Sequence, residues 1–203
     1  MGYLRMIKLF FGSPGCGKTT LACKLMYYSD SPFKFSNFET DLSNNIKSDF
    51  IGTFAFPDFS ELYIDEAGID YNNRNYKKLS QDTIEYLKLH RHFRNDIFLF
   101  SQSWEDTDVT LRRLTDELWY MKRKGPFTMC RKLRKAVRVD KNTEQIIDGY
   151  RFAGFLWNLL PPPFHEKTFM FFYRKPYFKH FDSYSRPAKF IKLPSQYLKK
   201  PQL

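Results

Sequence analysis

Residues 12–19 read Gly12-Ser13-Pro14-Gly15-Cys16-Gly17-Lys18-Thr19, which satisfies GxxxxGK followed by Ser or Thr at every fixed position. That spacing is suited to phosphate. A glycine-rich loop lets successive backbone N–H groups turn onto anionic oxygens, and a helix starting at its end adds the positive end of its dipole. The expected cradle is Gly12, Ser13, Pro14, Gly15, Cys16, Gly17, Lys18, Thr19 and Thr20, with Lys18 reaching the β- and γ-phosphates and the Thr19 hydroxyl a ligand for Mg²⁺. A glycine turn beside a surface lysine is the plain alternative. Placement between a strand-like run, Leu4 to Phe11, and a helix-like run, Thr20 to Tyr28, argues against it.

A second feature is Leu62-Tyr63-Ile64-Asp65-Glu66, three apolar residues ending in two carboxylates. On a strand beside the first, Asp65 would hold Mg²⁺ through its water shell and Glu66 would polarise an attacking water as general base. Two acids after a strand are common; the intact loop upstream gives this pair its meaning. The adjacent glutamate sets the pattern apart from GTPase switches and kinases and suits ATP hydrolysis. Gln102 follows Phe98-Leu99-Phe100-Ser101 and is either a γ-phosphate sensor at a strand end or an ordinary polar residue entering a loop. Arg91 lies in His90-Arg91-His92 at the end of a helical run, where cations offset the helix dipole. The alternative is that Arg91, Arg112 or Arg113 enters a neighbouring subunit's site to stabilise charge on the transferring phosphoryl group.

The elements that must position these groups follow from the pattern. Leu4 to Phe11, Glu61 to Glu66 and Asp96 to Ser101 read as buried strands, and Thr20 to Tyr28 as a helix. Ser80 is the expected N-cap of a second helix running through His92, and Val109 to Glu117 is a short third. Residues 29–60 are poorly periodic and suggest short strands and loops. Leu118 to Lys122 and Met129 to Val139 alternate like strands, and Thr168 to Tyr173 is a last one; Asn72 to Lys78 is a polar loop, and Pro161-Pro162-Pro163 breaks the chain. The fold class expected is α/β, a P-loop NTPase with a mostly parallel sheet flanked by helices. Residues 1–125 form the ATPase domain and residues 126–203 a smaller, basic, β-rich extension packed on it.

The order GSPGCGKTT, YIDEAG, LKLHRHFRNDIFLFSQS and LRRLTDELWYMKRKG resembles the N-terminal ATPase domain of the zonular occludens toxin (Zot) family. The resemblance runs from about Ile7 to Lys124, with an echo at Phe181-Asp182-Ser183-Tyr184. That family includes the assembly and export ATPases of filamentous phages and is similar to the FtsK/HerA branch of DNA-pumping motors. The resemblance implies ATP and Mg²⁺ as ligands, Lys18, Thr19, Asp65, Glu66 and Gln102 in the roles above, a ring of subunits, hexameric by analogy, and work on phage DNA at the inner membrane. Filamentous-phage members continue into a transmembrane helix and an outer domain, neither of which is evident in these residues. The expectation is a chain on the cytoplasmic side, peripheral at the inner face of the host membrane, that either works through a membrane-bound assembly or host partner or has a membrane part outside these residues.

Composition sharpens the partner. Hydrophobic residues make up 42% and aromatics 19% of 203 residues, which excludes collagen-like and disordered chains. Three cysteines without a CxxC pair suggest neither a disulfide framework nor a zinc site. The net charge of +11 is uneven: residues 1–100 hold 12 basic and 12 acidic side chains, whereas residues 101–203 hold 21 and 10. Solvated faces of two antiparallel strands explain one such cluster. A surplus sustained over the 85 residues after residue 118 and interleaved with aromatics instead suggests a surface that tracks DNA without reading sequence, through the Lys122–Arg138 region, an acidic membrane being the main rival. Against the ATP-driven DNA motor stand two alternatives, a small-molecule kinase and a nucleotide-stabilised scaffold of virion assembly.

Overall fold

Apolar runs of three or four residues form the middle of one sheet. A computed structural model describes residues 5–47, 51–54, 56–65, 80–105, 107–139, 146–154 and 166–182. The elements are β1 (Ile7–Phe11), α1 (Lys18–Tyr28), β2 (Phe33–Ser36), β3 (Asn44–Asn45), β4 (Ser60–Ile64), α2 (Gln81–Leu89), β5 (Asp96–Ser101), α3 (Val109–Leu114), β6 (Glu117–Lys124), β7 (Phe127–Val139), β8 (Ile146–Phe152), β9 (Phe169–Tyr173) and a 3-10 helix (Lys175–His180).

The strand order is β3-β2-β4-β5-β1-β6-β7-β8, with β9 also on β7. The strands β3, β2, β4, β5, β1 and β6 are parallel, as expected, and β7 turns back antiparallel on β6. Two apolar layers cover the sheet. One joins Ile7, Leu9, Leu62, Ile64, Ile97 and Leu99 to α2 and α3 residues such as Tyr86 and Leu111. The other joins Phe10, Tyr63, Phe98, Phe100 and Trp119 to Leu21, Cys23 and Met26 of α1. Strands buried on both faces read as continuous apolar stretches, which is how Leu9–Phe11 of β1, Leu62–Ile64 of β4 and Ile97–Phe100 of β5 read.

The structure departs from the sequence reading in several places. β4 was expected beside β1, but β5 lies between them. The physical reason is that all three runs are buried on both faces, with Leu9, Leu62, Tyr63, Ile64, Ile97 and Phe100 at 0% exposure, so apolar character cannot rank them and tertiary pairing sets the order. The second helix ends at Leu89 rather than His92, because residues 90–94 turn, with Arg94 at φ 54°, and Asn95 N–H closes onto His90 O at 3.0 Å. The third helix stops at Leu114 because Asp116 instead accepts the N–H of Ile7 at 2.8 Å and Glu117 pairs with Lys8 in the sheet. β8 and the 3-10 helix carry no clear signal in the sequence. The boundary expected after residue 125 falls in the turn between β6 and β7, and the sheet continues through it.

Asn72 to Lys78, Pro161 to Pro163, the Ser183-Tyr184 echo and Glu66 lie outside the described residues.

Candidate nucleotide site

Because β1, β4 and β5 are parallel, their C-terminal ends share one edge of the sheet, and Gly12, Asp65 and Gln102 each follow one of them. Gly12 N–H donates to Ser101 O at 3.2 Å, anchoring the start of the loop to the end of β5. Cys16 N–H closes on Ser13 O at 3.2 Å and Leu21 N–H begins α1 on Gly17 O at 2.9 Å. Gly15 and Gly17 sit at φ 73° and 98°, where an L side chain is strained. No side chain caps α1. Its N-terminal N–H groups therefore stand where an anion gains most from the dipole.

Lys18 is 7% exposed and donates from Nζ to Gly12 O at 3.1 Å, arching back over the loop. Thr19 Oγ1 donates to Asp65 Oδ2 at 2.6 Å. A hydroxyl from the first turn of α1 and a carboxylate from the end of β4 thus converge although β5 lies between β4 and β1, the strand that leads into the loop. These are hard oxygen donors, and Mg²⁺ takes one or two of them from protein and the rest from water and phosphate. The pair fits that ion.

Three residues that the sequence did not single out complete the site. Asn37, just after β2, exchanges two bonds with the Asp65 backbone: its side chain donates to Asp65 O at 2.9 Å and accepts from Asp65 N–H at 2.7 Å. Thr128 Oγ1 of β7 donates to Cys16 O at 2.7 Å. Arg174 donates to Gly15 O at 3.0 Å. Asn37 falls in the poorly periodic stretch 29–60, and the other two lie more than a hundred residues from the loop. Nothing local marks them.

Gln102 is exposed immediately after β5, on the same edge as the loop. Arg91 is not. It pairs with Asp116 at 2.5 Å, and Asp116 also holds the N–H of Ile7 at the first residue of β1. One five-residue strand, roughly 16 Å at about 3.3 Å per residue, therefore separates Arg91 from the loop of its own chain. Within a single chain the two are not brought together. Arg112 stacks over Trp104 at 5.2 Å, with its Nε buried and without a hydrogen-bond partner among the described residues.

The cysteines are free and buried. Burial pushes the Cys23 thiol up to about 12, opposed by the Thr40 hydroxyl, and raises Cys130 further. Burial also raises Cys16, with the Lys18 charge opposing it. Thiolate chemistry at neutral pH is thereby disfavoured.

The basic cluster divides in two. Lys132 pairs with Glu117 at 2.7 Å and Glu166 at 2.9 Å, Arg134 also pairs with Glu166, and Arg131 lies 3.9 Å over the Phe152 ring. Lys122, Arg123, Lys124 and Lys135 remain exposed.

The profile of the zonular occludens toxin family matches residues 39–158, more than half of the chain. The chain belongs to the Zot family. The match begins after the phosphate loop and runs beyond Lys124 through β7 and β8, so the Zot pattern includes part of the basic region. Among solved structures, this Zot chain is similar to the N-terminal domain of zonular occludens toxin from Neisseria meningitidis, at 19% identity and TM-score 0.47, covering 77% of this chain and 98% of that one. It is similar to the genome packaging NTPase B204 from Sulfolobus turreted icosahedral virus 2 in complex with ATP-gammaS, at 12% identity and TM-score 0.49, covering 72% and 98%. A third is the flagellar accessory protein FlaH from Methanocaldococcus jannaschii, at 11% identity and TM-score 0.46, covering 71% and 89%. No curated protein sequence matches the Zot chain.

Proposed function

We propose that this Zot chain is a Mg²⁺-dependent ATPase that works as a ring of identical subunits, hexameric by analogy, and moves DNA during virion assembly. The observation that carries the reading is the Thr19–Asp65 contact of 2.6 Å beside an intact phosphate loop. The loop N–H groups and the α1 dipole bind the phosphates, and Lys18 adds its charge on the β- and γ-oxygens. Thr19 and Asp65 hold Mg²⁺, which supplies charge neutralisation on those oxygens. Glu66, the next residue, takes the proton of the attacking water, and Gln102 orients that water or senses the γ-phosphate from the end of β5. Arg91 acts on a neighbouring subunit's phosphate.

DNA passes along the exposed cations of the β6–β7 hairpin, Lys122, Arg123 and Lys124. Among the described residues no helix is long and apolar enough to cross a membrane. In this proposal the chain works at the cytoplasmic face of the host membrane, beside a membrane-bound assembly partner.

Lys18→Ala is expected to abolish nucleotide binding, whereas Glu66→Gln keeps binding and stops turnover. DNA is expected to raise the hydrolysis rate. Titration with a labelled ATP analogue beside a steady-state ATPase assay with and without DNA checks all three, and wild-type protein inactive in every assembled form rules the reading out. Equal function of Glu66→Gln and wild type in virion assembly points instead to a nucleotide-stabilised scaffold.

A further inference from the structure

Arg174 follows β9 directly and is 8% exposed. Among the described residues it makes no ion pair with a carboxylate. Its guanidinium is spent on backbone carbonyls instead. Nη1 donates to Gly15 O at 3.0 Å, Nη2 to Gly125 O at 2.8 Å and Nε to Pro126 O at 3.4 Å. The Arg174 backbone N–H also donates to Pro126 O at 3.2 Å. One side chain thus joins the middle of the phosphate loop to the turn between β6 and β7.

The carbonyls it holds matter because the peptide unit is planar, so fixing a C=O fixes the next residue's N–H on the opposite side. Holding Gly15 O sets the Cys16 N–H that closes on Ser13 O. Thr128 does the same one peptide later by holding Cys16 O, which turns the Gly17 N–H away from β7. Gly17 makes this approach possible. A Cβ there would lie 2.5 Å from Thr128 Oγ1 and 3.0 Å from Arg174 Cδ.

We propose that Arg174 is a positioning residue for the phosphate loop, clamping it to the β6–β7 turn so that its N–H groups are aligned before nucleotide arrives. This rests on the nucleotide-binding reading above. A loop ordered in advance binds more tightly because less ordering remains to be done on binding. It also makes the basic hairpin and the phosphate loop one mechanical unit, with Arg174 as the joint. Lysine cannot replace it, since a point charge on a flexible stem does not span three carbonyls as a planar fork does.

The test uses the full chain with Arg174→Lys and Arg174→Met beside wild type, first without nucleotide. Amide hydrogen exchange over residues 15–18 is expected to quicken roughly tenfold in both variants, the scale of one charge-assisted bond set, while Arg174→Lys keeps the wild-type circular dichroism spectrum. Nucleotide titration should then show Kd for an ATP analogue raised by about tenfold, with turnover at saturation within about twofold, so the loss falls on KM. Unchanged exchange in a folded Arg174→Lys variant overturns the clamp, and so does faster exchange with unchanged Kd. Where Arg174→Met does not fold, the lysine variant decides. Faster exchange together with no nucleotide binding by wild type supports the clamp and overturns the nucleotide reading.

Discussion

Gly15 and Gly17 share a left-handed backbone, at φ 73° and 98°, but not their surroundings. A Cβ on Gly15 meets nothing within 4 Å, whereas one on Gly17 runs into Thr128 and Arg174. Gly15→Ala is therefore expected to cost only the backbone term, about 1–2 kcal/mol. Gly17→Ala adds overpacking and should cost about 2–5 kcal/mol. Urea denaturation of the two variants side by side checks this, and equal losses would mean that β7 and Arg174 do not confine the loop. Asn37 makes a comparable point for the carboxylate. Removing its amide leaves the Asp65 backbone groups without their two partners, so Asn37→Ala should cost about 1–2 kcal/mol. If Asp65 serves Mg²⁺, the same variant shifts the Mg²⁺ concentration for half-maximal turnover upward. An unshifted Mg²⁺ titration in a folded variant counts against that role.

Helix α2 illustrates what one element can be read to do. Ser80 accepts from Thr83 N–H at 3.1 Å, as its type and place before the helix led one to expect. Ser80→Ala is expected to lower stability by about 1 kcal/mol, read as a shift in the denaturant midpoint at constant slope. The C-terminal end of α2 was misread because His90-Arg91-His92 continues a helical composition while the chain must turn to enter β5. Between elements, Glu166 ties the segment before β9 to Lys132 and Arg134 of β7. Burial raises its pKa, but the Lys132 bond and charge, with Arg134 behind them, outweigh this and leave it lowered. A lowered carboxylate stabilises the fold above its ordinary value of about 4.3 and loses that contribution as pH falls through the folded value. Melting curves of wild type and Glu166→Gln should accordingly differ by about 2–4 °C near pH 7, for a contribution of about 1 kcal/mol, and converge toward pH 3.

For the whole molecule, charge is where sequence and structure must be read together. The surplus of the second half is real, but Lys132 and Arg134 are spent on Glu117 and Glu166, and Arg131 on an aromatic ring. Lys122, Arg123 and Lys124 remain exposed on the hairpin that flanks the phosphate loop. Each phosphate neutralised on duplex DNA contributes about −0.9 to the slope of log K against log salt. Replacing the three by Gln should make that slope shallower by roughly 2 to 3 units, while Arg134→Gln leaves it nearly unchanged. Fluorescence anisotropy across a salt series measures both, and equal effects of the two substitutions would show that DNA does not follow the hairpin.

The loop, the Asp65 carboxylate, the parallel sheet and the family could be read in the chain because each depends on neighbours in sequence: fixed spacing in a turn, three apolar residues before an acid, a cap before a helix. Strand order could not. That β5 separates β1 from β4 is a matter of which distant segments pair, since the apolar residues of all three strands are buried alike. Nor could the braces be read. Thr128 and Arg174 are an ordinary threonine and an ordinary arginine until β7 and β9 carry them to the carbonyls of Cys16 and Gly15. Local composition determined what the loop could bind; the folded sheet decided what holds the loop in shape, because backbone carbonyls are satisfied by whatever tertiary packing brings near.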